Sequence, residues 1–470
     1  MNRYELPGHA LIPEAVLRFH PTSLQACDPH PLRGLARHGP YSSAALMAPP
    51  RLALIAPEGD MQRLCDLAEE LNSPAQPKER AEYLVGFPGF EALFGMAVNA
   101  PSGQLRLTLP QEFDDEIRAH PNPIDLVTTA IQSALLRLQL NRSLFDVVLI
   151  LLPERWSTAF TGTDDTERDL HDEIKAHAAR LGIPTQIIRG DRALAYRDRA
   201  SVRWRLAIAL YTKVGGTPWA LDGFDAGTAF IGIGYALRSP GSHGGKRFVS
   251  ACSQLFDNSG RGPMFIIYEP EDARFDGDNP FLTRADSRRI MARSLTLYQQ
   301  MHQGGIPTRV VVHKLSEFKR EEINGCYDAF GEAIDLQLVQ VIDSSPWRGV
   351  KLEAKSSAAA YPCERGSALQ IGSREMLVWT QGTAQPSVST GKFFKEGKGI
   401  PHPLLLRRFA GRGSIDELAR EVLALTKMNW NNDALYDTHP VTIRFAQQLA
   451  RTVKHVPSLE SLPFEHRLFM

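Results

Sequence analysis

The chain has 470 residues, 43% of them hydrophobic, which is long enough for two or three domains and ordinary for a soluble globular protein. Its 53 Lys and Arg balance 53 Asp and Glu, so nucleic-acid binding through a global basic field is excluded and any such binding has to rest on local clusters. Five cysteines, Cys27, Cys65, Cys252, Cys326 and Cys363, are odd in number and scattered, which argues against a disulfide framework or a zinc site and for a reducing cytoplasm. The start MNRYELPGHALIPEA is polar and proline-broken, not a signal peptide, and no apolar run approaches the ~18–20 residues of a membrane span. A cytoplasmic protein without membrane contact is expected.

Residues 1–45, rich in proline and histidine and without strong periodicity, read as an extended lead-in that packs on something else. Arg51–Pro57 is an apolar run and 61–71 has helical spacing, a β-then-α unit. A strand at 105–109, a helix at 124–140 and the continuous apolar strand 145–152 follow. Continuous apolar strands alternating with helices imply a parallel sheet covered on both faces. Residues 46–215 are therefore read as a Rossmann-like α/β domain with its site at the strand ends.

The stretch 163–220 carries the most informative polar set. Asp164 with Glu167 has capping-box spacing, Leu170, Ile174, Ala178 and Leu181 form a stripe, and Gly182 stops it, giving a helix over 165–181. His171 and Lys175 stand one turn apart on one face of that helix. A strand at 184–188 carries Gln186, and Val202, Leu206, Ala209 and Leu210 mark a helix that ends at Lys213. Two ammonium groups, an imidazole and an amide would cradle a phosphate monoester. The competing reading is the solvated face of an amphipathic helix, and spacing alone does not separate the two.

His171-x3-Lys175-x10-Gln186, with Gly182–Gln186 and Lys213-Val214-Gly215-Gly216-Thr217-Pro218-Trp219, resembles the guide 5′-end pocket of the MID domain of Argonaute proteins. The resemblance implies that His171, Lys175, Gln186 and Lys213 hold a guide 5′-phosphate. It also implies a Mg²⁺ ion at that phosphate, with the Met470 terminal carboxylate as a ligand at the end of an apolar tail. His30–Leu35 and Gly39–Ser42 resemble the opening of short prokaryotic Argonautes, which lack the N-terminal and PAZ domains.

Beyond residue 216 the order is strands at 228–237, 247–256 and 262–268, a helix at 283–302, a strand at 309–313 and a helix at 318–330. Strands near 335–342 and 368–380 and the helix 415–426 follow. This order resembles the RNase H-like fold of PIWI domains, and Thr426–Asn431 and Pro440–Ala450 resemble the two closing PIWI motifs. The expected architecture is thus α/β, a Rossmann-like MID domain followed by an RNase H-like PIWI domain over 216–470.

An RNase H-type site needs carboxylates to hold two divalent metals. Where slicers of the family carry acidic or histidine ligands, this chain has Gly234, Leu315 and Gln447, so the resemblance implies no catalytic residue. Nearby acids are Asp257, Glu269, Glu271 and Asp272, which leave open a guided endonuclease using displaced carboxylates. A phosphate-binding metabolic α/β enzyme is the other rival. Contacts to a guide or target backbone are expected from Arg203, Arg205, Lys314, Lys319, Lys392, Arg407 and Arg408, which position without specifying because base pairing reads sequence. The resemblance implies a 5′-phosphorylated guide RNA, a single-stranded DNA target and an APAZ-containing effector subunit (Sir2 or TIR) that depletes NAD in defence against plasmids and phage.

Overall fold

The runs LALIAP and VVLILL form the central pair of a four-stranded sheet, in the order Arg106–Leu109, Leu52–Pro57, Val147–Leu152, Thr185–Arg189, every neighbour parallel. All residues of both central strands are buried, and their side chains alternate between two cores. Ala53, Ile55, Val148 and Ile150 meet Ile124, Ile131 and Leu135 of helix Pro123–Gln139 and Ile174 of helix Leu170–Arg180. Leu52, Leu54, Leu149 and Leu151 share a core with Leu64 and Leu67 of helix Met61–Glu70 and with Leu206 and Leu210 of helix Arg199–Lys213. Continuous apolarity is the price of a strand covered on both sides.

The computed structural model describes residues 8–43, 49–79, 81, 83–162, 168–225, 227–238, 247–256, 261–270, 274–277, 279–350, 362–384, 387, 399–453 and 464–470. Lys392, Asp257, Glu271, Asp272 and the capping pair Asp164 and Glu167 lie outside them. Helix Leu170–Arg180 starts later than the spacing suggests, because Asp169 caps it: its carboxylate accepts from the Asp172 amide at 3.2 Å. Gly182 (φ +63) then turns the chain in the left-handed region that favours glycine.

The second sheet has ten strands. Arg247–Phe256 runs antiparallel to Thr228–Arg238 on one side and to Arg261–Tyr268 on the other, and Arg309–Lys314 adds in parallel to Thr228–Arg238. Asp335–Ile342 continues in parallel, followed by antiparallel Leu404–Ala410, Glu375–Val378 and Ser367–Gly372. The run expected as one strand near 368–380 is two, folded back at Ser373 and Arg374. Ile231, Ile233, Val310 and Val312 pack under Ile290 and Phe330 of helices Arg284–Met301 and Arg320–Phe330. Phe230, Val311 and Val339 face helices Ile415–Leu425 and Val441–Val453 on the other side.

The lead-in is more structured than its composition suggests. His9–Leu11 is one edge strand of the ten, paired with Ser367–Leu369, and Leu17–Arg18 pairs with Cys27–Asp28 and Ala220–Leu221 in a separate small sheet. Pro31–His38 is a helix, with Pro31 at its first turn and the His30 side chain accepting from the Arg33 amide. Its short length hid its period. Among the described residues no helix is long and apolar enough to cross a membrane.

Candidate functional site

Helix Leu170–Arg180 turns Lys175 inward, and its side chain is buried. Its Nζ donates to the main-chain oxygens of Thr185, on the edge strand, and of Met470. One residue along that strand, the Gln186 Oε1 accepts from Lys213 Nζ at 2.8 Å, Lys213 being fully buried at the end of helix Arg199–Lys213. Two hydrogen-bonded pairs, Lys175 with Met470 and Lys213 with Gln186, thus meet at neighbouring residues of the edge strand, Thr185 and Gln186. The apolar tail is tucked inside as its composition suggests, with Phe469 and Met470 buried and Phe469 packed edge-on against Phe265.

His171 stands apart from that buried group. Its side chain is 45% exposed, with Nδ1 3.4 Å from the Asp172 carboxylate. With Gln186 it lines a cleft of about 470 Å³ whose other walls include Arg189, Arg192, Tyr196, Arg205 and Asn431. Gln186 therefore links the open cleft to the buried lysines.

The electrostatics follow from burial. Desolvation pulls the Lys175 ammonium down to about 7, opposed only by the charge of Asp172. Lys213 is lowered well below the ordinary lysine value, by desolvation first and the charge of Lys175 second. His466 on the tail is pulled to about 3 by burial, with Lys213 and Arg467 adding to it. Among the described residues neither lysine forms an ion pair with a carboxylate side chain. Two buried amines that pair with no carboxylate side chain among the described residues, one of them resting on the Met470 terminal oxygen, suit an added anion.

Arg192, Tyr196 and Asn431 were not among the residues the sequence singled out for binding. The first two lie in RGDRALAYR, directly after the edge strand, where an α/β sheet places its ligands, so a basic and aromatic loop at that position was the available signal. Asn431 arrives from a segment more than two hundred residues away, which no local pattern reveals.

The backbone-contact candidates divide. Arg205 lines the cleft and pairs with Asp433 at 3.0 Å. Lys314 does not reach solvent: it is buried, bonded to both Glu322 carboxylate oxygens at 2.6 and 2.7 Å and ringed by Tyr235, Phe281 and Phe318. Arg203 is likewise structural, donating to Glu70 and to the Ser73 and Pro74 carbonyls. Both were expected at a nucleic-acid backbone because sequence shows charge and hides burial. Lys319 is held by Asp276 and Glu317, Arg407 by Glu375, and Arg408 by the carbonyls of Arg412 and Gly413. Arg203→Ala is expected to lower stability by about 2 kcal/mol, the scale of charged hydrogen bonds, while leaving affinity for short nucleic acids within twofold. Urea denaturation and a binding titration on the same preparation would check it.

Met470 does not fit a magnesium ion on the protein's groups alone. Its oxygen accepts from Lys175, and the side chains of the residues hydrogen-bonded to it, Lys175 and His466, offer nitrogen where Mg²⁺ takes oxygen. Asp169, His171 and Asp172 bring ligand atoms within 4.8 Å of one another. Two of these are already employed, Asp169 as the helix cap and Asp172 as acceptor from Thr452 at 3.1 Å.

At the centre of the second sheet, helix Val441–Val453 lies against strand Thr228–Arg238 so closely that a Cβ on Gly234 would sit 2.6 Å from the main-chain carbon and oxygen of Ala446 and 2.8 Å from the Gln447 nitrogen. His313, on the neighbouring strand, is fully buried, stacked over Phe230 and 3.0 Å from the Thr442 hydroxyl. Leu315 packs against the main core.

No family model matches the chain. Over 318 residues it is 24% identical to the protein argonaute of Cereibacter sphaeroides (strain ATCC 17025 / ATH 2.4.3), a match covering 62% of this chain and 39% of that one. Among solved structures, Clostridium butyricum Argonaute bound to a guide DNA and a 19-mer target DNA superposes with a TM-score of 0.69 at 16% identity, covering 98% of this chain and 55% of that one. Drosophila Piwi gives 0.65 at 15% identity, over the same shares of the two chains. The chain thus spans about two fifths of the length of the curated relative and about half of each solved structure. Parallel sheet first and mixed sheet second, this is the Argonaute-like α/β fold in its MID and PIWI arrangement.

Proposed function

We propose that this chain binds the 5′-phosphorylated end of a guide, RNA by preference, and uses it to recognise complementary single-stranded DNA without cutting it. The observation that carries the reading is the gathering of Lys175, Gln186 and Lys213 around the edge strand Thr185–Arg189, beside a cleft lined by His171 and Arg205. Two buried amines and an amide suit a terminal phosphate, and the cleft has room for the first nucleotide, with Tyr196 as a surface for its base. Binding without cleavage is supported by the backbone packed over Gly234, which leaves no volume for a metal-binding carboxylate at that position. The displaced-carboxylate alternative retains Glu269 among the described acids; matched target, loaded guide and Mn²⁺ would reveal it as cleavage.

The partner part of the proposal rests on the resemblance of residues 30–42 to short prokaryotic Argonautes. In this reading an APAZ-bearing Sir2 or TIR subunit docks on the chain, and target recognition switches on its NAD-consuming activity. Co-expression with the neighbouring reading frame, followed by measurement of NAD after addition of matched target, tests it. Unchanged NAD with a bound target would remove the effector.

Lys175→Ala or Lys213→Ala is expected to weaken a 5′-phosphorylated guide tenfold or more, since a charge-assisted bond is worth roughly 1.5–3 kcal/mol. A 5′-hydroxyl guide should change far less. Equal losses for the two guides would take the phosphate out of the reading, and a preparation that never carries or binds short nucleic acid would favour a metabolic enzyme.

A further inference from the structure

The two lysines differ in what they touch. Lys175 reaches main-chain oxygens of Thr185 and Met470 and feels the charge of Asp172 on its own helix. Lys213 has no such relief. It is completely buried, its Nζ donates to the neutral Gln186 amide, and the titratable groups that face it are Lys175 from helix Leu170–Arg180 and His466 and Arg467 from the tail. The Arg467 guanidinium also lies against the Lys213 carbonyl, 3.5 Å away, and the His466 Nε2 is buried without a hydrogen-bond partner. The other charges nearby are spoken for: Arg467 pairs with Glu465, the Met470 terminal oxygen accepts from Lys175, Arg189 lies over the Phe160 ring, and Arg451 on helix Val441–Val453 acts on Asp172.

A fully buried ammonium whose acceptor is a neutral amide, with a neutral imidazole and the Lys175 and Arg467 side chains as neighbours, is disfavoured relative to the free amine. We propose that Lys213 is stored as a neutral amine and is charged by its ligand, so that binding of a terminal phosphate dianion draws one proton from solvent onto Lys213 Nζ. This rests on the phosphate reading of the pocket and adds how it discriminates. A dianion repays the burial of a new ammonium, whereas a 5′-hydroxyl end brings no charge with which to do so. The balance is simple: a proton leaves the buffer acid, a nitrogen–hydrogen bond forms at Nζ, and no other bond changes. The downward displacement of the Lys213 pKa agrees in direction.

The sign can be worked out. Bound phosphate raises the Lys213 pKa above its free value, so affinity is full below the free value and falls as pH rises through the interval between free and bound values. A phosphate monoester loses its second proton near pH ~6, so at pH 8 the ligand is already a dianion and any uptake belongs to the protein.

The experiment is calorimetric titration of the whole chain, stripped of nucleic acid, with one oligoribonucleotide carrying a 5′-phosphate or a 5′-hydroxyl, at pH 8 in HEPES and in Tris. These buffers differ in ionisation enthalpy, so the difference in observed heat counts protons. The expected result is uptake of more than one proton with the phosphorylated strand, because Lys175, lowered to about 7, is also mostly uncharged at pH 8, and none with the hydroxyl strand, with affinity for the former falling about tenfold or more per pH unit above the free Lys213 value. In Lys213→Met, which removes the amine and keeps an unbranched chain, the uptake should fall by about one proton, leaving only the Lys175 share. Phosphate preference with no proton uptake, or uptake undiminished in Lys213→Met, overturns the inference and leaves the pocket intact. Equal binding of the two strands overturns the pocket itself.

Discussion

Gly234→Asp, the substitution that would rebuild the first metal ligand of a nuclease, is expected to destabilise the protein by about 3 kcal/mol or more and to yield no cleavage. The first cost is steric: the new Cβ would lie 2.6 Å from the Ala446 backbone, and a helix backbone cannot swing aside as a flexible side chain can. Overpacking of this kind costs roughly 1–3 kcal/mol, and a carboxylate pressed against main chain without a metal adds the penalty of an unpaired buried charge. Gly234→Ala separates the two, carrying the steric term alone. Urea denaturation of both variants measures the costs, and a target-cleavage assay with Mn²⁺ tests the chemistry. A variant with Asp at this position and an unchanged denaturation midpoint would mean that the helix Val441–Val453 stands off the strand.

The second large effect is expected at Glu14. Its carboxylate is nearly enclosed, bonded to Arg365 Nε at 2.9 Å and to Lys427 Nζ at 2.8 Å, and neither cation has more than 1% of its side chain exposed. Arg365 also donates to the Leu423 carbonyl and the Thr426 hydroxyl, and Lys427 to the Pro29 carbonyl, so one buried triad ties the lead-in to the hairpin and to helix Ile415–Leu425. Glu14→Ala leaves two buried cations without a counter-charge, which costs about 3–5 kcal/mol. The pH dependence follows. Burial alone would raise the Glu14 carboxyl, but Arg365 and Lys427 more than reverse this and hold it below its ordinary 4.5. A depressed carboxylate contributes stability that is present above the unfolded value and is lost as pH falls through the folded one. Thermal melts of the parent between pH 5 and pH 3, on the order of that interval, should therefore show an acid limb that is shallower in Glu14→Ala. Parallel limbs in the two proteins would place the acid sensitivity elsewhere.

Periodicity and burial explain what could be read from the chain alone. LALIAP and VVLILL announced strands covered on both faces, and the three strands, helix and strand from residue 228 onward followed the order of the second sheet closely. His171, Lys175, Gln186 and Lys213 are near in sequence and lie on elements that pack together, so the structure gathers three of them around the edge strand and leaves the fourth on the rim of the adjoining cleft. Arg203 and Lys314 show the opposite. Their charge suggested solvent, yet Glu70 and Glu322 take them inward, and no local pattern discloses a partner that distant in the chain for Arg203. The lead-in was underestimated for a related reason. A three-residue strand has too few positions to display an alternation, and His9–Leu11 is a strand only because Ser367–Leu369 is there to receive it.

That last dependence has a consequence for biogenesis. The edge strand His9–Leu11 and Glu14 are among the earliest described residues to leave the ribosome, yet their partners, Ser367–Leu369, Arg365 and Lys427, emerge roughly three hundred and fifty to four hundred and ten residues later. At translation speeds of roughly 5–20 residues per second, the leading segment would wait on the order of tens of seconds with its hydrogen-bonding edge unclaimed. The first sheet has its strands complete by Arg189 and can form while the remainder is still being made. Closure of the second sheet at its far edge is then a late, long-range event, and nascent chains stalled before residue 427 should keep residues 8–14 open to protease.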